Sequence, residues 1–177
     1  MLFDPQSYLS VEEAFTLGPI DFIIVAVHDI SHSNLSQLDK WKEIQNPNTA
    51  AVDRLNRQKG LVREVNLDEN PGLEHSEPQD AWNTTYRLTL CDTESHYCFA
   101  YEYNDKLSFL RGQNSLTTPP VGGKMRVLKG TLIMNGVLML NRAQCQYLGM
   151  ENTELSRNLA LGIATKHIEF LSRELGL

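Results

Sequence analysis

Cysteine is scarce in this chain, which has three cysteines among its 177 residues. They are Cys91, Cys98 and Cys145, an odd number with no Cys-x-x-Cys pair. This pattern argues against a disulfide framework and against a zinc ribbon. We therefore predict reduced thiols in the core of an intracellular protein.

Long apolar runs are also lacking. The longest, Ile20 to Val27, is interrupted by Asp21 and is far too short to cross a bilayer. No basic segment followed by an apolar one opens the sequence, so a signal peptide is not predicted. We expect a soluble protein that is not secreted.

Basic residues are too few to balance the acidic ones. The chain has 16 Lys and Arg against 22 Asp and Glu, which gives a formal net charge of -6. Because the molecule as a whole repels phosphate, nucleic acid would have to bind at a local basic patch. The composition therefore favours a protein partner.

Motifs of catalysis and metal binding are missing from the sequence. It contains no Gly-x-Ser-x-Gly, no His-Glu-x-x-His and no Gly-x-x-x-x-Gly-Lys. His28 and His32 are four residues apart, but that spacing forms a metal site on a helix, whereas here the chain is leaving a predicted strand. We predict no enzyme activity, no cofactor and no metal site.

What the sequence does contain is a series of short strands, in a chain of the right length for one domain. Ile20 to His28 is β-branched and almost continuously apolar, which is typical of a central strand buried on both faces. Thr84 to Leu90 and His96 to Tyr103 alternate in polarity on either side of a turn. These two segments predict a hairpin.

A second hairpin is predicted at Asn135-Gly136, the strongest two-residue turn signal in the chain. It joins Lys124 to Met134 with Val137 to Leu140, and Gly130 predicts a bulge or bend in the first of these strands. The total is five strands. We therefore predict an all-β core with flanking helices, a five-stranded OB-fold barrel.

Helices are predicted on both sides of this barrel. Ser10-Val11-Glu12-Glu13 is a capping-box pattern, and Gly18-Pro19 ends the helix that it starts. Asn152 to Leu175 has apolar residues at helical spacing and predicts one long C-terminal helix. The predicted organisation is an N-terminal helix over 1–19, the OB-fold over 20–150 and a C-terminal helix over 151–177.

The OB-fold segment includes a long insertion, at about 33–80, between the first and second strands. It holds Asn46-Pro47, Asn70-Pro71 and Glu77-Pro78, all turn or breaker signals, and its part from Asn66 to Asp80 is acidic without Lys or Arg. Structureless loops of this length in compact domains are usually functional or disordered. We expect the insertion to serve a partner.

Several segments, in order, resemble the OB domain of the RecQ-mediated genome instability (Rmi) family. Residues 27–38 are similar to the family's first-strand end, Asp-Ile-Ser-x-Ser followed by Ser-Gln-Leu. Residues 119–124, 128–130, 135–140 and 147–149 resemble its Pro-Gly-x-Lys, hydrophobic-Gly, Gly-x-Leu-Leu-Leu and Val-Leu-Gly-Gly series, and residues 88–92 and 101–103 resemble its Leu-x-Leu-Thr-Asp turn and the next strand end. Met150 departs from the pattern, because a second glycine is expected there.

The resemblance implies a non-catalytic subunit of the complex between a RecQ helicase and topoisomerase III, a type IA topoisomerase. Such a subunit acts in the nucleus, in DNA repair, recombination and replication, by promoting decatenation and double Holliday junction dissolution. The resemblance also implies that the insertion reaches the topoisomerase gate and stabilises its open form, and that residues 1–19 are the remnant of a helical domain.

The same resemblance assigns residues to this role. The implied topoisomerase-binding residues are Lys124, Asp29, Ser31, Ser33, Gln37 and Leu38. The implied gate-loop residues are Trp41, Leu55, Leu61, Leu67, Asp68, Glu69, Pro71, Glu74 and Glu77.

A single-stranded DNA-binding protein is the alternative, since OB-folds often use their second and third strands as a stacking platform. Arg87, Arg126 and Lys129 are the possible DNA-binding residues on this interpretation. Tyr97, Phe99, Tyr101 and Tyr103 share one face of a predicted strand. We expect these rings to fill the barrel, because a small barrel must fill its interior, and the acidic net charge also favours the first interpretation.

Overall fold

The computed structural model describes residues 3–46, 83–111, 120–150 and 153–177. The chain divides into two compact units. The first combines residues 1–32 with 81–163, and the second combines residues 33–80 with 164–177. The described strands all lie in the first unit, and the described part of the second unit is mostly helical.

Eight strands form one sheet within the described part of the first unit. They are β1 (Ala14–Phe15), β2 (Ile20–Asp29), β3 (Tyr86–Cys91), β4 (Tyr97–Glu102), β5 (Gly123–Val127), β6 (Leu132–Met134), β7 (Val137–Leu140) and β8 (Cys145–Met150). Their order in the sheet is β1-β6-β7-β4-β3-β2-β5-β8. β4 and β7 pair in parallel and the other neighbours are antiparallel.

The described helices are α1 (Asn34–Gln45), α2 (Glu154–Ala160) and α3 (Ile163–Leu175), with 3-10 turns at Pro5–Tyr8 and Ser108–Leu110. This arrangement confirms a mostly β fold with flanking helices. All five predicted strands are present: β2 lies between β3 and β5, and β3 and β4 form the predicted hairpin. The two-residue strand β1 and the six-residue strand β8 were not predicted.

The central strand β2 is covered completely on one face only. Ile20, Phe22 and Ile24 are buried, while the residues between them are half-buried. A bulge between Ile24 and Ala26 then shifts the register against β3 and brings Val27 to the buried side. The expectation of burial on both faces is therefore met on the inner face alone.

The predicted strand from Lys124 to Met134 is two strands, β5 and β6, separated by a corner. Gly130 has φ +84° there, a backbone conformation that glycine adopts without strain. Thr16 fixes the corner, because its hydroxyl donates to the Leu128 carbonyl at 2.7 Å and accepts from the Thr131 amide at 2.9 Å. The Asn135-Gly136 hairpin after β6 is confirmed, with φ of 48° and 81° at its two residues.

The predicted N-terminal helix is wrong. Among the described residues 3–19, the chain makes a 3-10 turn at Pro5–Tyr8 and then strand β1. β1 pairs with β6, and the Asn135 amide donates to the Val11 carbonyl. The segment pairs with β6 instead of forming a helix, because the edge of β6 supplies backbone hydrogen-bond partners. A short isolated helix, even with a capping box, is only marginally stable in water.

The predicted long C-terminal helix is two helices. α2 ends at Ala160 and α3 begins at Ile163, and Gly162 between them has φ +65°. Leu159 and Ile163 pack against the core of the first unit. Within the second unit, the Trp41 ring of α1 stacks on the His167 ring of α3, with ring centroids 4.4 Å apart.

The expectation that four aromatic rings fill the barrel is also wrong. Tyr97 is 59% exposed, Phe99 47% and Tyr103 38%, and Tyr101 is half-buried. The inward positions of β4 are Cys98, Ala100 and Glu102, all buried. The rings therefore lie on the outer face of the sheet.

Candidate functional site

Asp29 shapes the turn that leaves β2. Its Oδ1 accepts hydrogen bonds from the Ser31 amide and hydroxyl, both at 2.8 Å, and from the His32 amide at 3.2 Å. Its Oδ2 lies 2.6 Å from His32 Nδ1. Burial raises the pKa of the Asp29 carboxyl, but the bonds from Ser31 and His32 outweigh it and hold the pKa below the usual value. The Asp-Ile-Ser sequence is thus a turn-forming element.

Asp92 performs the same task after β3. Its buried carboxylate accepts from the amides of Glu94 and His96, each at 2.9 Å. These bonds outweigh the opposing effect of burial, so the pKa of Asp92 is lowered. Ser95 completes the turn with φ 67°. Asp92 is the last residue of the segment, residues 88–92, that resembles the family's Leu-x-Leu-Thr-Asp turn.

A buried ion pair ties the hairpin to the chain that follows it. The side chains of Glu102 and Arg111 are each 1% exposed, and they make two contacts, from Arg111 Nη1 to Glu102 Oε1 and from Arg111 Nη2 to Glu102 Oε2, the second at 2.7 Å. Glu102 also accepts from the amides of Tyr86 and Leu107. Because both charges are paired and hydrogen-bonded, their burial is compatible with a stable fold. No pattern in the sequence predicted this ion pair.

Glycines shape the corner that precedes Lys124. A Cβ atom at Gly122 would lie 2.6 Å from the Ser156 carbonyl oxygen of α2, and Gly122 has φ +84°. A Cβ atom at Gly123 would meet the Tyr147 ring at 2.6 Å. Only glycine fits these positions without displacing α2 or β8. Lys124 follows directly and is half-buried. The pKa of Asp21 is lowered mainly by the hydrogen bond from Arg126, and the nearby charge of Lys124 lowers it further.

The three basic residues named for DNA binding have different surroundings. Arg126 forms a two-pronged ion pair with Asp21, at 2.6 and 2.8 Å, which lowers the pKa of Asp21. Arg87 lies over the Phe99 ring, with its guanidinium carbon 4.9 Å from the ring centroid. Lys129 is exposed beside the β5–β6 corner.

The residues named for topoisomerase binding do not form one cluster. Lys124 pairs with Ile23, whereas Asp29 lies six residues further along β2, roughly 20 Å away in an extended strand. Ser31 is exposed near Asp29, and its hydroxyl accepts from the Thr85 amide at 3.0 Å. These residues therefore mark two separate places on the barrel.

The other named residues belong to the second unit or lie outside the described residues. Ser33 caps α1 by accepting from the Ser36 amide, while Gln37 and Leu38 are buried, which gives them packing roles. Trp41 stacks on His167. The remaining gate-loop residues lie outside the described residues: Leu55, Leu61, Leu67, Asp68, Glu69, Pro71, Glu74 and Glu77.

Burial makes the thiols poor nucleophiles. It raises the pKa of Cys98 to about 12 and that of Cys145 to about 11, and it also raises the pKa of Cys91. All three cysteines are free. In the described ranges, no group of three or more His, Cys, Asp or Glu residues is placed to hold a metal ion.

None of the described helices is long and apolar enough to cross a bilayer.

The sequence matches the family model described as RMI1, N-terminal OB-fold domain, over residues 6–161. No curated protein matches the sequence. The matched range includes all eight described strands, α1 and the whole of α2.

Proposed function

The chain belongs to the family of the RMI1 N-terminal OB-fold domain, and we propose that it is a non-catalytic subunit that binds topoisomerase III and works with a RecQ-family helicase. Membership of this family suggests a role in DNA repair through the RecQ–topoisomerase III complex. The finer proposal is that the chain promotes decatenation and double Holliday junction dissolution in the nucleus. The observation that carries it is the family match, which extends over residues 6–161.

The barrel suits a scaffolding role because hydrogen bonds and an ion pair within the chain hold its connecting segments in place. The turns at Asp29 and Asp92 are closed by carboxylate–amide bonds, and the Glu102–Arg111 pair fixes the hairpin to the following segment. Preorganised loops lose little conformational entropy when a partner binds. Loops fixed in this way suit a non-catalytic subunit whose role is to bind a partner.

Lys124 is the contact that we propose for the topoisomerase on the barrel itself. It follows two glycines that are locked by close contacts with Ser156 and Tyr147. The backbone that leads into Lys124 therefore has a fixed geometry, and we propose that the Lys124 side chain contacts a carboxylate of the topoisomerase. Of the other named residues, Ser31 and Ser33 are exposed, although their hydroxyls also make hydrogen bonds within the chain.

We propose that the insertion between β2 and β3 acts on the topoisomerase gate. A type IA topoisomerase must open a wide cavity to pass one DNA segment through another, and a ligand shifts that equilibrium only by binding the open state better than the closed one. The acidic part of the insertion, Asn66 to Asp80, would also compete with DNA for a basic channel.

Deletion of Asn66 to Asp80 tests this proposal. We expect the deletion to reduce the stimulation of decatenation of linked DNA circles by topoisomerase III, while relaxation of a supercoiled plasmid changes less, because decatenation requires the gate to admit a duplex. A second variant, in which amides replace Asp68, Glu69, Glu74, Glu77 and Asp80, keeps the length and removes the charge. Unchanged decatenation by the deletion variant would contradict the proposal.

A further inference from the structure

The outer surface of β1, β6 and β7 carries apolar side chains only, and it is called here the apolar face. Its outward residues are Phe15, Leu132, Met134, Val137 and Met139. Phe15 is 52% exposed and Met134 is 40% exposed, while the other three are half-buried. No side chain at these five positions can form an ion pair or a strong hydrogen bond with water.

The strand pairing makes the apolar face continuous. Phe15 pairs with Leu132, and Leu132 pairs with Met139, so these side chains lie side by side across three strands. Met134 and Val137 pair with each other and form a second row at the hairpin end. Because neighbouring strands are about 4.8 Å apart and alternate residues about 6.6 Å apart, the five side chains form one contiguous surface.

The core does not account for these outward apolar residues. The inward positions of the same strands, Ile133, Leu138 and Leu140, already supply buried side chains to it. The outward positions of β5 are Lys124 and Arg126, as expected for a sheet face in water. A contiguous exposed apolar patch is typical of an association site, because a sheet with an apolar face is normally covered by another element.

Acidic residues lie at one end of the apolar face. Glu12 and Glu13 directly precede β1 and are exposed, and the Val11 carbonyl accepts from the Asn135 amide, which holds this segment at the hairpin end. In the described ranges, neither carboxylate has an ion-pair partner. The sequence has no Lys or Arg before Lys40. The field at this end of the face is therefore negative.

We propose that the apolar face docks an amphipathic helix of a protein partner, a helix with Lys or Arg residues beside its apolar stripe. The distance from β1 to β7 is two strand spacings, about 10 Å, which is the diameter of a helix with its side chains. The basic residues of the helix would lie against Glu12 and Glu13, since opposite charges across an interface fix its orientation.

This inference goes beyond topoisomerase binding and does not depend on it. In the order of the sheet, β4, β3 and β2 lie between β7 and β5, the strand that contains Lys124. The apolar face and the proposed topoisomerase contact are therefore on different strands.

Other occupants fit the apolar face less well. In a twofold dimer the same surface faces itself, so a second copy would bring the carboxylates of Glu12 and Glu13 toward those of its partner. Nucleic acid or an anionic lipid surface would meet the same carboxylates and no cation on the face. Charge complementarity therefore favours a basic helix.

The test is fluorescence anisotropy of a labelled Leu/Lys peptide of about 18 residues, designed as an amphipathic helix, titrated with the purified full chain. No topoisomerase is present, so failure of this binding is separate from failure of the proposed function. Phe15→Ser is expected to weaken binding about tenfold or more, as truncation of an aromatic anchor does. Met134→Ser should also weaken it, and this variant leaves β1 unchanged.

Leu148→Ser is the matched control for loss of an exposed apolar side chain. Leu148 is 47% exposed, but it lies on β8, at the opposite edge of the sheet from β1. We expect this variant to bind the peptide like the wild-type chain. Urea unfolding of each variant shows that its fold is retained.

The acidic end of the face has its own measurement. The double variant Glu12→Gln with Glu13→Gln should bind the Leu/Lys peptide more weakly and with less dependence on salt, because exposed charge pairs are screened. Glu154→Gln, which removes an exposed carboxylate at the start of α2, should leave both unchanged. A peptide with Glu in place of Lys should bind at least about tenfold more weakly.

Three results would overturn the proposal. One is the absence of saturable binding of the Leu/Lys peptide up to about 1 mM, the weak end of measurable association. Another is an equal loss of affinity in Phe15→Ser and Leu148→Ser. The third is a dimer of the wild-type chain, seen by sedimentation equilibrium, that Met134→Ser dissociates, which would make the apolar face a contact between copies of this chain.

Discussion

Two aspartates, Asp29 and Asp92, turn the chain at the ends of neighbouring strands by accepting hydrogen bonds from amides that follow them. The sequence places both in segments that resemble family motifs, and on that basis Asp29 was assigned to partner binding. The structure gives its carboxylate a local partner set instead, the Ser31 and His32 donors. Short polar motifs at strand ends therefore predict turn chemistry more directly than they predict binding.

Asp29→Ala is expected to reduce the free energy of unfolding by about 2 kcal/mol, because the Ser31 amide, the Ser31 hydroxyl and the partly buried His32 amide lose their acceptor. Asp105→Ala, at an exposed position, should change it by less than about 0.5 kcal/mol. Urea unfolding at neutral pH measures both. Since the pKa of Asp29 is lowered in the folded state, its contribution is complete above the unfolded pKa and is lost as the pH falls below it.

The same measurement provides its own check. The difference between the wild-type chain and Asp29→Ala should shrink as the pH falls below about 4, the pKa of an unperturbed aspartate. A difference that persists unchanged in acid, or an equal loss in Asp105→Ala, would show that the carboxylate does not hold the turn.

At the residue scale, the main difference from the prediction is which side chains of β4 point into the barrel. Alternation of polarity identifies two faces but does not say which is inward, and rings were expected inside. The deciding residue is Glu102, which enters the interior because Arg111, nine residues later, pairs with it there. A partner outside the strand cannot be inferred from the strand's own pattern.

At the scale of elements, the strands with strong local signals were predictable and the weak ones were not. Gly130 and Asn135-Gly136 marked the corner and the hairpin correctly, because positive φ angles favour these residue types. β1 has two residues and exists only through its pairing with β6. Its sequence carries no strand signal, so the competing helix pattern prevailed in the prediction.

The helices α1 and α3 of the second unit meet through an imidazole that burial keeps neutral. His167 stacks on Trp41, and burial lowers the pKa of His167 to about 4. Because the unfolded chain binds a proton near pH 6.5, the contribution of the neutral ring is present above that pH and is lost as the pH falls toward about 4.

We therefore expect the wild-type chain to lose on the order of 2 kcal/mol between neutral pH and about pH 4 relative to His167→Phe, which keeps a stacked ring and cannot titrate. Urea unfolding across this pH range, followed by tryptophan fluorescence, measures the difference. Parallel stability curves for the two chains would contradict a neutral imidazole at this partly buried contact.

At the scale of the whole molecule, the sequence was sufficient for the family and the barrel, because several weak motifs occurred in the same order as in the family. The sequence did not show how far apart the proposed partner-binding residues lie. Lys124 and Asp29 lie near one strand, β2, but at different places along it, and the pairing register decides this separation. Register depends on contacts that are distant in sequence and is not visible in local patterns.

The central claim is that this chain is a subunit that binds a type IA topoisomerase through its barrel. Calorimetric titration of the purified chain into topoisomerase III tests it most directly. We expect saturable binding that Lys124→Glu weakens about tenfold or more, since reversal of a contact charge leaves two like charges facing each other. Lys129→Glu, the same charge change at an exposed position, should bind like the wild-type chain. Absence of saturable binding by the wild-type chain would contradict the account.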